Sequence, residues 1–472
     1  MVALSVGKKR ELGTLSSMLA KTVGVVSLMA ILASCGTSPG YSYTVGGTVD
    51  GLVGSGLVLQ NNGGDDHPIS ADGYFTFAIP LTDGAAYNIT VKTQPASPAQ
   101  SCRVVSNGTG TINSNPVSNV VVSCMTSPTS IAFSVESLGE FAYVANDDNT
   151  ILTYLIDLLN GGTFTPTGTA TTGAFPSSIA VDPSGKFTYV ANTNDGTIST
   201  YTIDSSSGEL NSTCGISPLC PSTGKYPIAV TVDPSGKFAY VANEGDGTIS
   251  AYSIVSGGAL TAIGNPNTIG TGTSPVSVAF SVESGNEFVY VANMSDNTIS
   301  AYSIGSTGAL TAIGNPNTIG TGTIPVSITV DPSKQFAYVA NEFSNSISIY
   351  TIDPTFGTLA ASATPAVTVG NNPTSVVTVS LGSSGEFAYV TNLSDSTISA
   401  YSIDLSNGGA LTAISGSPFN AGTLAGTLAY PSTITIDPSG QFAYVINSGD
   451  GSIWAYPINQ STGVLGTPLQ VK

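Results

Sequence analysis

The sequence predicts an all-β protein made mostly of one repeated unit, and three observations lead to this prediction. The stretch from Phe238 to Asn243 recurs in seven close copies at intervals of about fifty residues. Charged residues make up only 8% of the chain, and no long segment has the apolar spacing of a helix. Turn signals such as Asp-Pro-Ser-Gly and Asp-Gly separate short runs rich in β-branched residues.

The N-terminal residues have the pattern of an export signal. Basic residues precede an apolar run at 22–34, which is too short to span a bilayer as a helix. The run ends in Leu-Ala-Ser-Cys, followed by Gly36. This resembles a bacterial lipoprotein signal, which implies removal of residues 1–34, lipid attachment to Cys35 and a tether at 35–42. The alternative is an ordinary secretory signal with a chance cysteine. Because Gly36 is not the Asp that retains such lipoproteins in the inner membrane, we expect anchoring in the cell envelope, at the outer membrane or cell surface.

Charge and cysteine content narrow the partners and the compartment. The formal net charge is −18, and loss of the basic signal segment makes it more negative. Binding to phosphates needs clustered Lys and Arg, so general affinity for nucleic acid or anionic lipid headgroups is excluded, and the lipid would be the only membrane contact. Four further cysteines fit an oxidising compartment. Since a disulfide joins nearby residues, we expect Cys102 to pair with Cys124 and Cys214 with Cys220.

Residues 43–126 read as a first domain. Short alternating segments separated by turns predict a small antiparallel β-sandwich. It resembles the immunoglobulin-like or prealbumin-like modules of bacterial surface proteins, a resemblance that implies no activity. The only histidine, His67, follows Asp65 and Asp66. No further His or Cys is available to complete a metal site there, so a solvated turn is the preferred interpretation.

Residues 127–472 contain seven units, each opened by a proline and each with four predicted β segments. The Phe-x-Tyr-Val strand is apolar on both faces, so it needs cover on both sides. A ring of such units packs each between two neighbours, which predicts a seven-bladed β-propeller. A linear β-solenoid is the alternative, and the Asp-Gly hairpins argue against it. The last unit has its own fourth segment near 464–471, so we expect the ring to close without strand exchange.

The repeat also carries a family resemblance. Its Tyr-Val-(Ala/Thr)-Asn core, with Asp-Pro-Ser-Gly before it and Thr-Ile-Ser-x-Tyr-x-Ile and Gly-x-Leu after it, resembles YVTN-repeat propellers and the seven-bladed lactonase family. That family includes bacterial 6-phosphogluconolactonases. The resemblance covers residues 127–472 and implies the propeller fold and lactone hydrolysis. Its motif residues all build blades, and the seventh copy departs only in having Ile446.

Residues that break the repeat are the better candidates for a site. Aromatics on the rim of a propeller can bind sugar rings or peptides, although packing at blade edges is the alternative interpretation. The aromatic candidates are Phe175, Tyr226 and Tyr430, each just before an opening proline, and Trp454 on the third strand of the last blade.

Three acidic residues follow the repeated Asn in alternate blades. Asp147, Glu244 and Glu342 have the oxygen ligands that Ca²⁺ prefers, but their separation around the ring argues against a shared site. No other cofactor is expected. The seven Asn residues themselves are interpreted as structural, because a side chain that recurs with a turn most simply bonds its backbone.

The chemistry available in the propeller decides between two functions. A lactonase must activate water and stabilise an oxyanion, and a phosphosugar lactonase must also hold a phosphate. Residues 127–472 contain no His and no Arg, and their only cations are Lys186, Lys225, Lys237, Lys334 and Lys472. The sequence therefore favours a lipid-anchored binding or scaffold module for a glycan or peptide. A hydrolase of neutral lactones, with or without a cation, is the alternative, and activity on 6-phosphogluconolactone is not expected.

Overall fold

The computed structural model describes residues 41–52, 55–95, 102–124, 127–136, 139–214, 220–264, 267–283, 285–314, 317–364, 366–422 and 428–472. The predicted signal, Cys35 and most of the tether lie outside these residues. Helical structure in the described ranges is limited to four 3-10 turns, Leu158–Asn160, Ser256–Gly258, Gly382–Ser384 and Leu405–Asn407. None of the helices described is long and apolar enough to cross a membrane.

The N-terminal part is a sandwich of two four-stranded sheets around one apolar core. One pairing differs from the prediction, because β10 runs parallel to β2 and the sheet is mixed. Gly47 permits this close pairing, since a Cβ there would lie 1.8 Å from the Val120 carbonyl oxygen. The strands are Ser42–Tyr43 (β1), Val45–Asp50 (β2), Leu57–Asn61 (β3), Asp65–Ile69 (β4), Gly73–Thr76 (β5), Leu81–Thr82 (β6), Ala86–Thr93 (β7), Arg103–Ser106 (β8), Thr109–Thr111 (β9) and Val117–Ser123 (β10).

Local details of this sandwich confirm one expectation and correct another. The Cys102–Cys124 disulfide forms beside the antiparallel pair β8 and β10, as predicted. His67 was expected in a solvated turn, and that expectation is wrong, because it lies within β4 with its ring 5.9 Å from that of Phe77. The turn falls earlier, and the Asp65 carboxylate at the start of β4 accepts a hydrogen bond of 2.8 Å from the Ile79 amide.

The rest of the chain forms seven antiparallel blades, each a separate sheet. They are Pro128–Glu136, Gly139–Asn146, Thr150–Asp157 and Thr163–Thr171 (β11 to β14, blade 1); Pro176–Val181, Phe187–Asn192, Thr197–Ile203 and Leu210–Ser212 (β15 to β18, blade 2); Pro227–Val232, Phe238–Asn243, Thr248–Ile254, Leu260–Ala262 and Thr268–Gly270 (β19 to β23, blade 3); Pro275–Glu283, Asn286–Asn293, Thr298–Ile304, Leu310–Ala312 and Thr318–Gly320 (β24 to β28, blade 4); Pro325–Val330, Phe336–Asn341, Ser346–Ile352, Leu359–Ala361 and Val367–Thr368 (β29 to β33, blade 5); Pro373–Ser380, Glu386–Asn392, Thr397–Asp404, Ala410–Ala413 and Phe419–Asn420 (β34 to β38, blade 6); and Pro431–Ile436, Phe442–Asn447, Ser452–Pro457 and Leu469–Gln470 (β39 to β42, blade 7).

The outer edge of the blades is more broken than predicted. In blades 3 to 6 two short segments, rather than one strand, pair with the third strand. The backbone of Ala251 on the third strand stays hydrogen-bonded across the break. Its carbonyl accepts from the Ile263 amide, and its amide donates to the Asn267 carbonyl, both at 2.9 Å. In blade 2 the predicted Cys214–Cys220 disulfide forms, and it joins the parts of the chain on either side of the break.

Contacts between neighbouring blades explain why the repeat keeps Phe and Tyr. The Phe ring of one blade packs on a glycine of the next, as Phe238 does on Gly308, where a Cβ would lie 2.3 Å from the ring. The buried Tyr240 hydroxyl donates to the carbonyl of that same glycine at 2.9 Å. Equivalent bonds to the next blade, from 2.7 to 3.1 Å, are made by Tyr189, Tyr290, Tyr338, Tyr389 and Tyr444.

The inner edges of the blades are joined by serine hydroxyls. The first strands of neighbouring blades contact one another around the ring axis. Ser178 accepts a bond of 3.1 Å from the Val230 amide of the next blade, and Ser277 does the same for Ile328. An edge amide that would otherwise lack a partner is thereby satisfied.

The ring closes between blades 7 and 1 as predicted, without strand exchange. The outer strand of blade 7 is β42, which pairs with β41, whereas β10 remains in the first sandwich. An aromatic cluster fills this junction, where the Tyr444 ring lies 5.2 Å from Phe133 and 5.1 Å from Phe164. The Tyr444 hydroxyl also donates to Gly162 of blade 1 at 3.1 Å.

Candidate functional site

The candidate site lies on the rim formed by the turns between second and third strands, which we call the upper rim. In each blade the residue before the opening proline is bonded through its carbonyl to the residue after the repeated Asn. In blade 3 these are Tyr226 and Glu244, with an N to O distance of 2.9 Å. Because the first strand is innermost, these paired positions surround the ring axis at the upper rim.

The seven Asn side chains do not contribute to this surface, because all are fully buried. Asn243 donates to the hydroxyls of Thr248 and Ser250 at 3.0 and 2.9 Å, and its oxygen accepts from the Gly224 amide at 3.1 Å. The structural interpretation is therefore confirmed, but the side-chain partners are strand hydroxyls and the incoming chain rather than the turn backbone.

In blade 1 a lysine side chain, rather than a backbone amide, donates to the oxygen of the repeated Asn. Lys472, which follows β42, donates from Nζ to the Asn146 oxygen at 2.7 Å. Burial lowers the pKa of Lys472 to about 8, and the carboxylates of Asp148 and Asp147 act in the opposite direction. Burial likewise raises the pKa of Asp148. The lysine completes the hydrogen bonding of the first blade at the point where the ring closes.

Three of the four predicted aromatics are exposed on the upper rim. The exposed fractions are 47% for Phe175, 55% for Tyr226 and 37% for Tyr430. All three have positive φ, between 46° and 57°, the left-handed conformation that non-glycine residues rarely adopt. The Tyr226 ring lies over Gly245, where a Cβ would be 2.5 Å from the ring.

Trp454 does not belong with these three aromatics. It is half-buried and packs on Gly422, and its indole donates to the Ser452 hydroxyl at 2.8 Å. It stands at the position of Ser250 in blade 3, so Asn447 loses a hydroxyl partner and donates instead to the Ala421 carbonyl at 3.0 Å. The packing alternative therefore describes Trp454 better, and its role as a binding residue stays a prediction.

The three predicted acidic residues have different surroundings. The Asp147 carboxylate accepts from the Ser127 amide at 3.0 Å, and Glu342 accepts from the Asn372 side chain at 3.5 Å. Glu244 borders an open groove. Within the described ranges, no group of three or more His, Cys, Asp or Glu side chains could hold a metal ion. These residues thus do not fit a shared Ca²⁺ site.

Two adjoining grooves on the upper rim flank the turn that contains Asp246. The groove between blades 2 and 3 has a volume of about 400 Å³ and is bordered by Thr193, Lys225 and Tyr226. The next groove, of about 360 Å³, is bordered by Glu244 and Thr273. Both volumes suit a small ligand. Lys225 is the one cation among the residues that stand two positions before the opening prolines, where the other blades have small or polar residues, and this departure from the repeat is the sequence signal for the groove.

The Lys225 ammonium and the Asp246 carboxylate form the charged pair of this region. Their N to O distance is 3.8 Å, and the lysine side chain is 78% exposed. Such an exposed pair is weak and leaves the ammonium free to meet a ligand. The Asp246 carboxylate also accepts from the Lys225 backbone amide at 2.7 Å, which holds the turn against the groove.

The fold and this rim define the protein as a seven-bladed β-propeller with exposed aromatic, acidic and basic groups on one rim. The family model described as "Lactonase, 7-bladed beta-propeller" matches residues 121–217, 222–378 and 379–470, and the chain belongs to this family. A 6-phosphogluconolactonase of Pectobacterium carotovorum subsp. carotovorum (strain PC1) is 28% identical over 103 residues, which is 21% of this chain and 31% of that protein. The chain therefore matches about a third of the length of that relative.

Solved structures share the fold at lower identity. A Bacteroides fragilis protein assigned as a candidate 6-phosphogluconolactonase superposes with a TM-score of 0.54 and 19% identity, covering 72% of this chain and 95% of that one. The periplasmic gluconolactonase PpgL of Pseudomonas aeruginosa gives 0.53 and 18%, covering 68% and 91%. Hydrazine synthase of Kuenenia stuttgartiensis gives 0.52 and 15%, covering 71% and 96%. These likenesses concern the fold, which different activities use.

Proposed function

We propose that the protein is a hydrolase of uncharged lactones that acts at the upper rim of blade 3. The observation that carries this proposal is that an exposed aromatic, an ammonium and a carboxylate, those of Tyr226, Lys225 and Glu244, border two adjoining grooves on either side of the Asp246 turn. Membership of the lactonase family supports the reaction class. The blade sequences have no His or Arg and only five Lys, which supports a substrate without a phosphate.

Each of the three groups has a role in the proposed reaction. The apolar face of the lactone ring stacks on Tyr226, and the Glu244 carboxylate takes a proton from the attacking water. The Lys225 ammonium stabilises the oxyanion of the tetrahedral intermediate. Collapse breaks the ring C–O bond, the alkoxide takes the proton back from Glu244, and the product is an open hydroxy acid. Once ionised, that acid is repelled by the negative propeller, which favours its release.

Replacement of Glu244 tests this assignment. We expect Glu244→Gln to lower kcat on a neutral aldonolactone by about 100-fold or more, the usual contribution of a general base. Glu342→Gln is the matched control, because Glu342 has the same repeat position in a blade whose residue before the proline is Ile324. A chelator should leave the rate unchanged. The proposal fails if wild-type protein does not hydrolyse neutral lactones, or if both variants behave alike.

A binding module without turnover is the second candidate. The observation that favours it is the exposure of Phe175, Tyr226 and Tyr430 on one rim, where aromatic side chains can stack on a glycan or peptide. In that case Tyr226→Ala weakens binding of an oligosaccharide or peptide, whereas Glu244→Gln leaves the affinity unchanged and no product forms. Glu244→Gln, assayed together with Tyr226→Ala for binding and for product, thus separates the two functions.

We also propose that the protein acts at the cell envelope, held by a lipid on Cys35. The signal-like segment and the two disulfides support this location. Mass spectrometry of the mature N-terminus should find a diacylglyceryl cysteine at position 35. An intact or differently cleaved N-terminus would contradict the anchor without affecting the proposal on activity.

A further inference from the structure

The rim opposite the candidate site carries a regular set of buried carboxyl groups. Blades 2, 3, 5 and 7 have a buried Asp at the start of the turn between first and second strands. Blades 1, 4 and 6 lack that Asp and instead have a Glu just before the repeated Phe. Each Glu faces the Asp of the preceding blade, in the pairs Glu140 with Asp437, Glu287 with Asp233 and Glu386 with Asp331.

The Asp of each pair is fully engaged as a hydrogen-bond acceptor. Asp437 is 3% exposed, and its two oxygens accept from the Phe442 amide at 2.6 Å, the Ser439 amide at 3.1 Å and the Ser439 hydroxyl. Asp331 is fully buried and accepts from Phe336 and Ser333 in the same way. Three donors are thus directed at each of these two carboxyl groups.

The Glu of each buried pair has the opposite surroundings. Glu140 and Glu386 are 6% and 8% exposed, and each is within hydrogen-bonding reach of its Asp. Within the described part of the chain, the Oε2 atom of each has no hydrogen-bond partner. A carboxylate so placed is costly, whereas a carboxylic acid can donate to the neighbouring Asp and becomes satisfied.

The other groups around each pair do not offset the cost of burying two carboxylates side by side. Glu140 is faced by Asp437 and the Tyr444 phenol. Glu386 is faced by Asp331 and the Tyr338 phenol, and also by the Ser333 amide and the Lys334 ammonium, which act to lower its pKa by a smaller amount. Burial and then the adjacent Asp raise the pKa of both Glu140 and Glu386 to about 7. Glu287 is less buried and has Lys237 nearby, so the pKa of Glu287 is raised less strongly.

We propose that Glu140 with Asp437 and Glu386 with Asp331 are proton-sharing latches, which hold blades 1 and 7 and blades 5 and 6 together in acid and weaken in alkali. The sign follows from the bound proton. A Glu whose folded pKa lies above its unfolded value gives stability that is complete below about pH 4.5 and is lost as pH rises through about 7. The two junctions are therefore most stable at mildly acidic pH.

The test compares the thermal midpoint of the full mature chain between about pH 5.5 and about pH 8. In Glu140→Gln and Glu386→Gln the amide donates to the Asp at every pH. The Tm of each variant should therefore fall less than that of wild type as the pH rises. We expect a difference on the order of 3 °C per junction at the higher pH, and little at the lower. Glu209→Gln is the control, because Glu209 is exposed and the change in charge is the same.

Other outcomes overturn the proposal. Parallel curves of Tm against pH for wild type and both variants would do so, as would a loss of stability that is equal at every pH. If Ca²⁺ raises the Tm of wild type at about pH 8 but not that of the variants, the pairs bind a cation rather than a proton. If the variants do not fold, infrared spectra of wild type decide. A protonated carboxyl band that persists to near neutral pH supports the latches, and loss of all such bands by about pH 5 contradicts them.

Discussion

At the scale of single residues, the glycine of the Gly-x-Leu motif shows how one position serves two blades. Gly308 has φ of 82°, which a side chain would strain. It also lies against the Phe238 ring of the preceding blade and accepts the Tyr240 hydroxyl. The Phe, the Tyr and this glycine therefore form one contact, although they lie in different repeats.

Replacing this glycine should destabilise the ring. We expect Gly308→Ala to lower the free energy of unfolding by about 2 to 4 kcal/mol, because it adds backbone strain and a clash with Phe238. Gly320→Ala is the control, since Gly320 has open space where a Cβ would lie. Thermal midpoints of the two variants measure the difference, and equal midpoints would show that the contact is not needed.

At the scale of elements, each blade solves the problem of unpaired edges differently on its two sides. Serine hydroxyls such as that of Ser178 cover the inner edge, and broken outer segments such as β22 and β23 cover the other. In the blades that have it, the turn with the buried Asp lies at the junction with the next blade. Where that Asp is absent, a Glu lies beside the Asp of the preceding blade, and the proposed response to pH belongs to the two junctions at which this Glu is buried rather than to the whole ring.

The latches and the candidate site lie on opposite rims. Titration of Glu140 and Glu386 therefore alters the cohesion of the blades without changing the charge of the grooves beside Tyr226. We expect Glu244→Gln to lower lactone hydrolysis without altering the pH profile of Tm, which follows the two buried Glu residues. The proposal on activity and the proposal on stability can thus fail separately.

At the scale of the whole molecule, charge selects among substrates. The propeller has five Lys and no Arg, against several times as many Asp and Glu, so its field is negative. A phosphomonoester carries nearly two negative charges and needs convergent Arg or Lys to bind. On the upper rim, the groove lysine Lys225 is already beside Asp246.

We therefore expect kcat/KM on 6-phosphogluconolactone to be at least about 100-fold below that on the unphosphorylated lactone. The gap should narrow as salt is added, because screening weakens the repulsion. Steady-state kinetics of the purified protein on the two lactones, at low and high ionic strength, measure this. Comparable rates on both substrates would show that a phosphate site exists elsewhere on the protein.

The propeller, its seven blades, its closure and both disulfides could be predicted from the sequence because each depends on local pattern or on repetition. A strand with two apolar faces, such as that from Phe238 to Asn243, requires neighbours on both sides, and the repeat supplies them. A hairpin or a short disulfide loop, such as that between Cys214 and Cys220, likewise depends on residues close in sequence.

What the tertiary structure decided are contacts between distant parts of the chain. The Lys472 ammonium meets Asn146 only because the ring closes, and Glu140 meets Asp437 for the same reason. The Trp454 ring is half-buried because it packs on Gly422. Such contacts depend on which blade follows which and on the orientation of each rim. A repeat pattern does not carry that information, because all its copies look alike until the ring brings particular residues together.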